Sequence, residues 1–333
     1  MLKSMFVNVI IVTMNRSAYL RNCLESVKKQ TYSFYDITVI DNQSIDNTVQ
    51  MLENDYPEIN RIILDRNLGC PGARNIGILN TSGEILFFVD DDGLLAPGVL
   101  ETVVNEMSKE ADIGAVVCSI KEDGRWLIRP DESNNQERIY LGEFKGQGAI
   151  RRQVFQQLGL YPTQFLYGAE ETDLTFRMLD NGFKIVFQPS ALTYHFRTNL
   201  ARTQNQEIEK ARNHFCVILK YIPSPLVYFW GFKRLLMIFI LGFKNHQFFK
   251  SLNCLFQLPI TVIPILVNRK KTVVRKNTVI LRELLLSKSV SDYSKILSNK
   301  EFNQSLWIYQ IKKITQNLIT LKKYVEFKNL FKR

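Results

Sequence analysis

Several features that would place a sequence quickly are missing from this one. Its five cysteines (Cys23, Cys70, Cys118, Cys216, Cys254) are odd in number, scattered, and form no CxxC pair. That argues against a zinc framework or a disulfide scaffold and suits reduced thiols in the cytoplasm. Neither a GxGxxG fingerprint nor a GxxxxGK[ST] loop occurs, which argues against a dinucleotide enzyme and a P-loop NTPase. The apolar start, MLKSMFVNVIIV, is followed by TMNR and no small-residue cleavage site, so it reads as a first strand and not as a signal peptide. Acidic residues are scarce towards the C-terminus. Residues 216–333 carry 21 basic and 4 acidic side chains, a net of +17, whereas residues 1–215 carry 22 and 28, a net of −6. The overall charge of +11 therefore belongs wholly to the C-terminal part, where it points to a polyanionic partner, a membrane surface or a nucleic acid.

What is present argues for a folded α/β chain. Of 333 residues, 46% are apolar and 11% aromatic, ample for a core. Apolar runs at 6–12, 37–40, 61–64 and 85–89 alternate with segments of helical spacing. Ser17 is a plausible N-cap for a helix to about Lys29; further helices are expected from about Asn47 to Glu53 and after the glycine-punctuated loop RNLGCPGARNIG. Strands and helices alternating at this distance imply a mainly parallel sheet flanked by helices. Downstream, a helix over 99–110 and a strand over 113–120 continue the alternation. The polar stretch from Lys121 to Glu143, carrying Trp126, suits an acceptor-side loop. Residues 146–159 read as a glycine turn opening a helix, with Arg151 and Arg152 at its start.

Each early strand hands over to a polar group at its carboxyl end: Thr13 and Asn15, then Asp41, then Arg66 and Asn67, then Asp90, Asp91 and Asp92. That sheet edge is where open α/β folds hold ligands. Three adjacent carboxylates repel one another unless a cation or bound donors sit among them. Further on, Glu170 and Glu171 open a helix over 170–180. Carboxylates are favoured there by the helix dipole, and a general base needs the same ionised state. Asp173 and Arg177, four residues apart on that helix, read as a structural pair. His195 follows a strand, and an imidazole with carboxylates suits Mn²⁺ or Mg²⁺; His214 and His246 have no such company.

Taken together, VTMNR (12–16), VIDNQSIDNT (39–48), RNLGCPGARNIG (66–77), FFVDDDG (87–93) and GAEETDLTFRMLDNGF (168–183) with Tyr194-His195 resemble the family 2 glycosyltransferases, inverting enzymes of the GT-A fold that use nucleotide-diphosphate sugars. The resemblance covers roughly residues 5–200. It implies that Thr13, Asn15 and Asp41 hold base and ribose, with Asp41 accepting from a uracil N3–H, and that Arg74 reaches the phosphate or sugar. Arg16, Asn67, Gly69 and Asp91 fall among the nucleotide-sugar-binding positions it implies. Asp90 and Asp92 would form the DxD and, with His195, hold a divalent cation. Glu171 stands at the general-base position, usually Asp in this family, and its extra methylene keeps Glu170 as a second candidate. No QxxRW motif of the processive synthases occurs, so transfer of single sugars is expected. An alternative is a non-catalytic, membrane-docked scaffold of the same fold. A sugar-phosphate nucleotidyltransferase would need a GxGxR-type loop after the first strand, which TMNR does not supply.

The chain thus divides by composition into a catalytic domain, 1–215, and a helical, basic region, 216–333. LVYFWGFKRLLMIFILGF (226–243) is broken by Lys233 and Arg234, each costing about 2.5–3.5 kcal/mol at a bilayer centre. LFQLPITVIPILV (255–267) is too short to cross a bilayer. Both segments read as in-plane helices with a polybasic rim, at the inner face of the cell membrane. The expected partners are a nucleotide-diphosphate sugar, a glycan or lipid-linked acceptor and an anionic membrane surface, with no nucleic acid. The tail, 292–333, is expected to be helical.

Overall fold

The computed structural model describes residues 4–128, 138–139, 144, 146–196, 204–222 and 226–269, all within one compact unit. The early elements are β1 (Val7–Thr13), α1 (Ser17–Lys28), β2 (Tyr35–Asp41), α2 (Thr48–Asp55), β3 (Asn60–Ile63), α3 (Gly69–Leu79) and β4 (Ile85–Asp90). They are followed by β5 (Gly93–Leu95), α4 (Val99–Lys109), β6 (Ile113–Glu122), β7 (Arg125–Ile128), β8 (Arg138–Ile139), β9 (Gly148–Arg151), α5 (Arg152–Leu158), α6 (Glu170–Asp180) and β10 (Lys184–His195). Three helices close the described part: α7 (Gln204–Tyr221), α8 (Leu226–Lys244) and α9 (Phe248–Arg269).

One sheet runs in the order β3-β2-β1-β4-β9-β6-β10-β5, with β7 beside β6 and β8 beside β10. β3, β2, β1 and β4 are mutually parallel, as are β6 and β10. β1 and β4 are apolar along nearly their whole length because both faces are covered. Val7, Val9 and Ile11 of β1 and Ile85, Phe87 and Val89 of β4 face one core cluster. Ile10, Leu86 and Phe88 face the other, with Phe155 and Tyr161.

Three differences from the sequence reading have physical causes. The turn expected before Arg151 is a strand. Gly148 to Arg151 inserts antiparallel between β4 and β6, and four residues that open on a glycine are too few to show a period. Ser17 is not the cap of α1. Arg16 occupies that position without a side-chain cap bond, and the Ser17 hydroxyl donates instead to Asn47 Oδ1 at 2.7 Å. Residues 255–267 are not a separate short segment, since they continue from Phe248 in a 22-residue helix through two prolines. Its Phe248–Val267 stretch is long and apolar enough to cross a membrane. The Asp173–Arg177 pair is present, with Arg177 Nε on Asp173 Oδ2 at 2.8 Å. The helix expected over 292–333 and most of the loop expected over 121–143 lie outside the described residues.

Candidate active site

Register brings the polar strand ends together. Thr13 lies opposite Asp41 across the β1–β2 pair, and Val12 opposite Asp90 across β1–β4. The acidic turn after β4 is held from both sides. Asp91 is buried and accepts from the Thr13 hydroxyl at 2.8 Å and from Arg16 Nη1 at 2.7 Å. Burial pushes its carboxyl up to about 6 against the pull of Arg16. The same Arg16 nitrogen reaches Asp92 Oδ2 at 3.0 Å. Asp91 thus braces the turn to β1 and to Arg16.

Asp90 and Asp92 meet His195 at the far end of β10. His195 Nε2 lies 3.1 Å from Asp92 Oδ1 and 3.7 Å from Asp90 Oδ2. One ligand atom from each of the three falls within a 4.8 Å cluster. Burial works against a charged imidazole here. The bond to Asp92 and the charges of Asp90 and Asp92 outweigh it and push His195 up to about 9. Burial also works against ionised Asp92, yet its His195 and Arg16 partners hold its carboxyl below the usual range. Two carboxylate oxygens and an imidazole nitrogen, with no thiol, are a donor set suited to Mn²⁺ or Mg²⁺.

Arg74, on α3, is buried and spans the site. Its Nη2 donates to Asp90 Oδ1 at 3.0 Å, and its Nη1 to Glu171 Oε1 at 2.7 Å and lies 4.0 Å from Glu170. The guanidinium carbon sits 5.8 Å from the Phe88 ring centre, within cation–π range. Of the two acids opening α6, Glu170 is the more deeply buried. Gly146 lies against this bridge. A Cβ there would come within 3.0 Å of Arg74 Nη2 and 3.3 Å of Asp90 Oδ2, and its φ of +80° also favours glycine.

The remaining expected residues line the neighbouring strand ends. Asp41 is buried, and its Oδ2 accepts from the Ser44 amide at 2.9 Å. Its Oδ1 is buried with no hydrogen-bond partner among the described residues. Asn15, at a φ of 57°, accepts from the Ile45 amide at 2.7 Å, and its own amide donates to Ser44 Oγ at 2.8 Å. Asn67 Oδ1 accepts from Asn42 and from the Gly69 amide. Gly69 has a φ of +69°, and a Cβ there would meet Leu166 O at 2.8 Å.

Sequence reasoning missed Glu122. It accepts from His195 Nδ1 at 2.9 Å, an arrangement that leaves Nε2 facing the two aspartates. The pairing depends on β6 running to residue 122 beside His195, beyond the strand legible in the sequence. Gln147 was missed too; its side chain is buried and its Oε1 has no partner among the described residues.

Residues 8–165 match the family described as Glycosyl transferase family 2. An uncharacterized glycosyltransferase of Haemophilus influenzae is 25% identical over 226 residues, 62% of this chain and 76% of that protein. Three further relatives are matched over 43–66% of their own length. Among solved structures, Staphylococcus aureus TarS 1–349 in complex with UDP superposes with a TM-score of 0.58 at 18% identity, covering 87% of this chain and 89% of that one. A mannosyltransferase of Pyrobaculum calidifontis in complex with GDP-Man and Mn²⁺ gives a TM-score of 0.52 at 18% identity, covering 88% and 84%. The fold is therefore that of GT-A glycosyltransferases.

Proposed function

We propose, for a chain whose residues 8–165 match the glycosyl transferase family 2 model, that it moves a single sugar from a nucleotide-diphosphate sugar to a hydroxyl of a glycan or lipid-linked acceptor, with inversion. The observation that carries this reading is the bridge made by the buried Arg74, which ties Asp90 of the acidic cluster to Glu171. A donor's diphosphate and an acceptor's hydroxyl have to be served by one such cleft.

Asp90, Asp92 and His195 would hold the divalent cation, whose Lewis acidity would neutralise charge on the departing diphosphate. Arg74 is placed to share that charge and to orient Glu171. Glu171 takes the acceptor's hydroxyl proton on a carboxylate oxygen as the new glycosidic bond forms. A single displacement from the opposite face of the sugar inverts the anomeric carbon. Thr13 and Arg16 keep the acidic turn in place through Asp91, and Asn15 holds the loop beside Asp41.

A uridine donor is favoured. The buried Asp41 Oδ1, with no partner among the described residues, is an acceptor that an imide N–H of the base would satisfy, and leaving it unsatisfied costs about 1–3 kcal/mol. TarS was solved with UDP and the Pyrobaculum mannosyltransferase with GDP-Man, so both bases belong in a test. A thermal-shift series of nucleotide sugars with and without Mn²⁺ should give a metal-dependent rise confined to uridine donors. A rise confined to guanosine donors would reassign the base, and no rise with any donor would overturn the transferase reading. Binding without turnover by any acceptor would favour a scaffold. The acceptor is proposed to lie at a membrane face, in keeping with the basic C-terminal region.

A further inference from the structure

We infer that α8 and α9 form an in-plane docking surface for an anionic lipid bilayer, held by α7 against the loop that leads into Glu171. The inference deepens the membrane-side part of the reading above and does not depend on the chemistry of the cleft.

Both helices turn large apolar side chains outwards at helical spacing. On α8 these are Tyr228, Phe232, Leu236, Phe239 and Phe243, and on α9 they are Phe249, Phe256, Ile260, Ile263 and Val267. Phe249 is 83% and Ile260 76% exposed, values that no isolated surface leucine would call attention to but that a continuous stripe does. Residues 226–269 hold Lys233, Arg234, Lys244, Lys250 and Arg269 and not one Asp or Glu. Lys233, Lys244 and Lys250 are exposed beside the stripe. An apolar face rimmed only by positive charge matches a bilayer interface with anionic headgroups; a second protein surface would have to supply an apolar patch ringed with acids.

Packing decides between lying on the bilayer and crossing it. The inner side of α9 is occupied along its length. Cys254 and Leu255 pack against the cluster of Ile208, Ala211 and Ile238. Val262 and Ile265 pack against the cluster containing Phe165, Ala169, Phe176 and Tyr221. The turns of α7 that bring Ile208 and Ala211 against Cys254 and Leu255 also carry Glu207, Glu209, Lys210 and Arg212. If α9 crossed the membrane in this arrangement, those charges would follow it into hydrocarbon, which insertion scales disfavour strongly. The same packing reaches the active site. Asn213 of α7 donates to the carbonyls of Tyr167 and Gly168 at 2.9 and 3.2 Å, and Ala169 is the residue before α6 and its Glu170 and Glu171. A bilayer under α8 and α9 would thus be fixed relative to Glu171, which suits an acceptor presented from the lipid.

The test uses the full chain and vesicle flotation. It should float with phosphatidylcholine–phosphatidylglycerol vesicles, weakly with phosphatidylcholine alone, and be released by alkaline carbonate. The triple variant Phe249→Glu, Phe256→Glu, Ile260→Glu should bind about tenfold or more weakly. Lys233→Gln, Lys244→Gln, Lys250→Gln together should weaken binding to anionic vesicles by roughly a hundredfold. Both variants should keep the wild-type far-UV spectrum and the nucleotide-dependent thermal shift. Carbonate-resistant protein would overturn in-plane docking in favour of crossing. Flotation of the triple Glu variant at wild-type strength would overturn the surface. A wild-type dimer that this variant splits, seen by light scattering, would make the face a contact between copies. Vesicle binding with no thermal shift for any nucleotide would leave the docking surface standing and remove the transferase reading.

Discussion

The edge of the sheet and the C-terminal helices use opposite solutions to the problem of what to leave exposed. At the sheet edge the apolar residues are spent on two buried clusters, and the acids that remain are tied to Thr13, Arg16, Arg74 and His195. On α8 and α9 a stripe of large apolar residues faces outwards and the charges are all basic. The difference locates two kinds of recognition. A cleft of paired charges suits a small polyanion whose atoms must be placed within tenths of an ångström. A broad apolar face with a basic rim tolerates a fluid partner. Function at the first should therefore hinge on single atoms, and at the second on summed area and charge.

The largest effect that would test this contrast is Asp92→Ala. Removing a carboxylate that faces His195 and Arg16 should abolish Mn²⁺ binding, read by electron paramagnetic resonance, and lower transfer by at least about a thousandfold. No single substitution on α8 or α9 should approach this; Phe256→Glu should leave hydrolysis of a soluble donor unchanged. Equal losses from the two would break the contrast. Next comes Glu171→Gln, which keeps the shape and a hydrogen bond to Arg74 but cannot take a proton. It should lower kcat by about 10²–10⁴-fold with donor affinity retained. If Glu170→Gln carried that loss instead, the base would be the neighbouring residue.

How far the sequence could be read follows the same division. The sheet edge was legible because its chemistry is local: strand ends, DDD, and EE at a helix start each sit within a few residues. What escaped was what only register creates. Glu122 meets His195 because β6 and β10 lie side by side, and no spacing in the chain announces a pair 73 residues apart. The strand β9 escaped because four residues carry no readable period. On the helical side the composition was legible and the boundaries were not: the segment read as 255–267 begins at Phe248 and runs on through two prolines as α9. The outward face of that helix could not be told from a core-facing one by pattern alone, since both are apolar stripes.

Asp173 joins the two regions and should respond to substitution through stability. Its buried carboxylate accepts from Arg177 at 2.8 Å on its own helix, and from Lys220 at 2.7 Å and the Tyr221 hydroxyl at 2.8 Å on α7. Asp173→Ala leaves Arg177 and Tyr221 without that acceptor and should cost about 3–5 kcal/mol in urea unfolding. The accompanying loss of vesicle binding and of transfer together would mark α7 as the joint. A stable variant that lost only one of the two would separate the regions.

The smallest effect expected is at Glu122, and it sharpens the claim that the cleft depends on single atoms. Glu122 touches neither Asp90 nor Asp92 in the network described; its contact is with His195 Nδ1. Its influence would pass through the orientation and tautomer of that ring, because an acceptor at Nδ1 leaves Nε2 for the cation. Glu122→Ala should weaken Mn²⁺ binding by about 10–100-fold. Glu122→Gln, which still offers an acceptor, should recover most of that loss, with the folded state unchanged by thermal melting in the absence of metal. Equal weakening in both would assign the effect to the lost charge, and no weakening in either would leave His195 oriented by the β10 backbone alone.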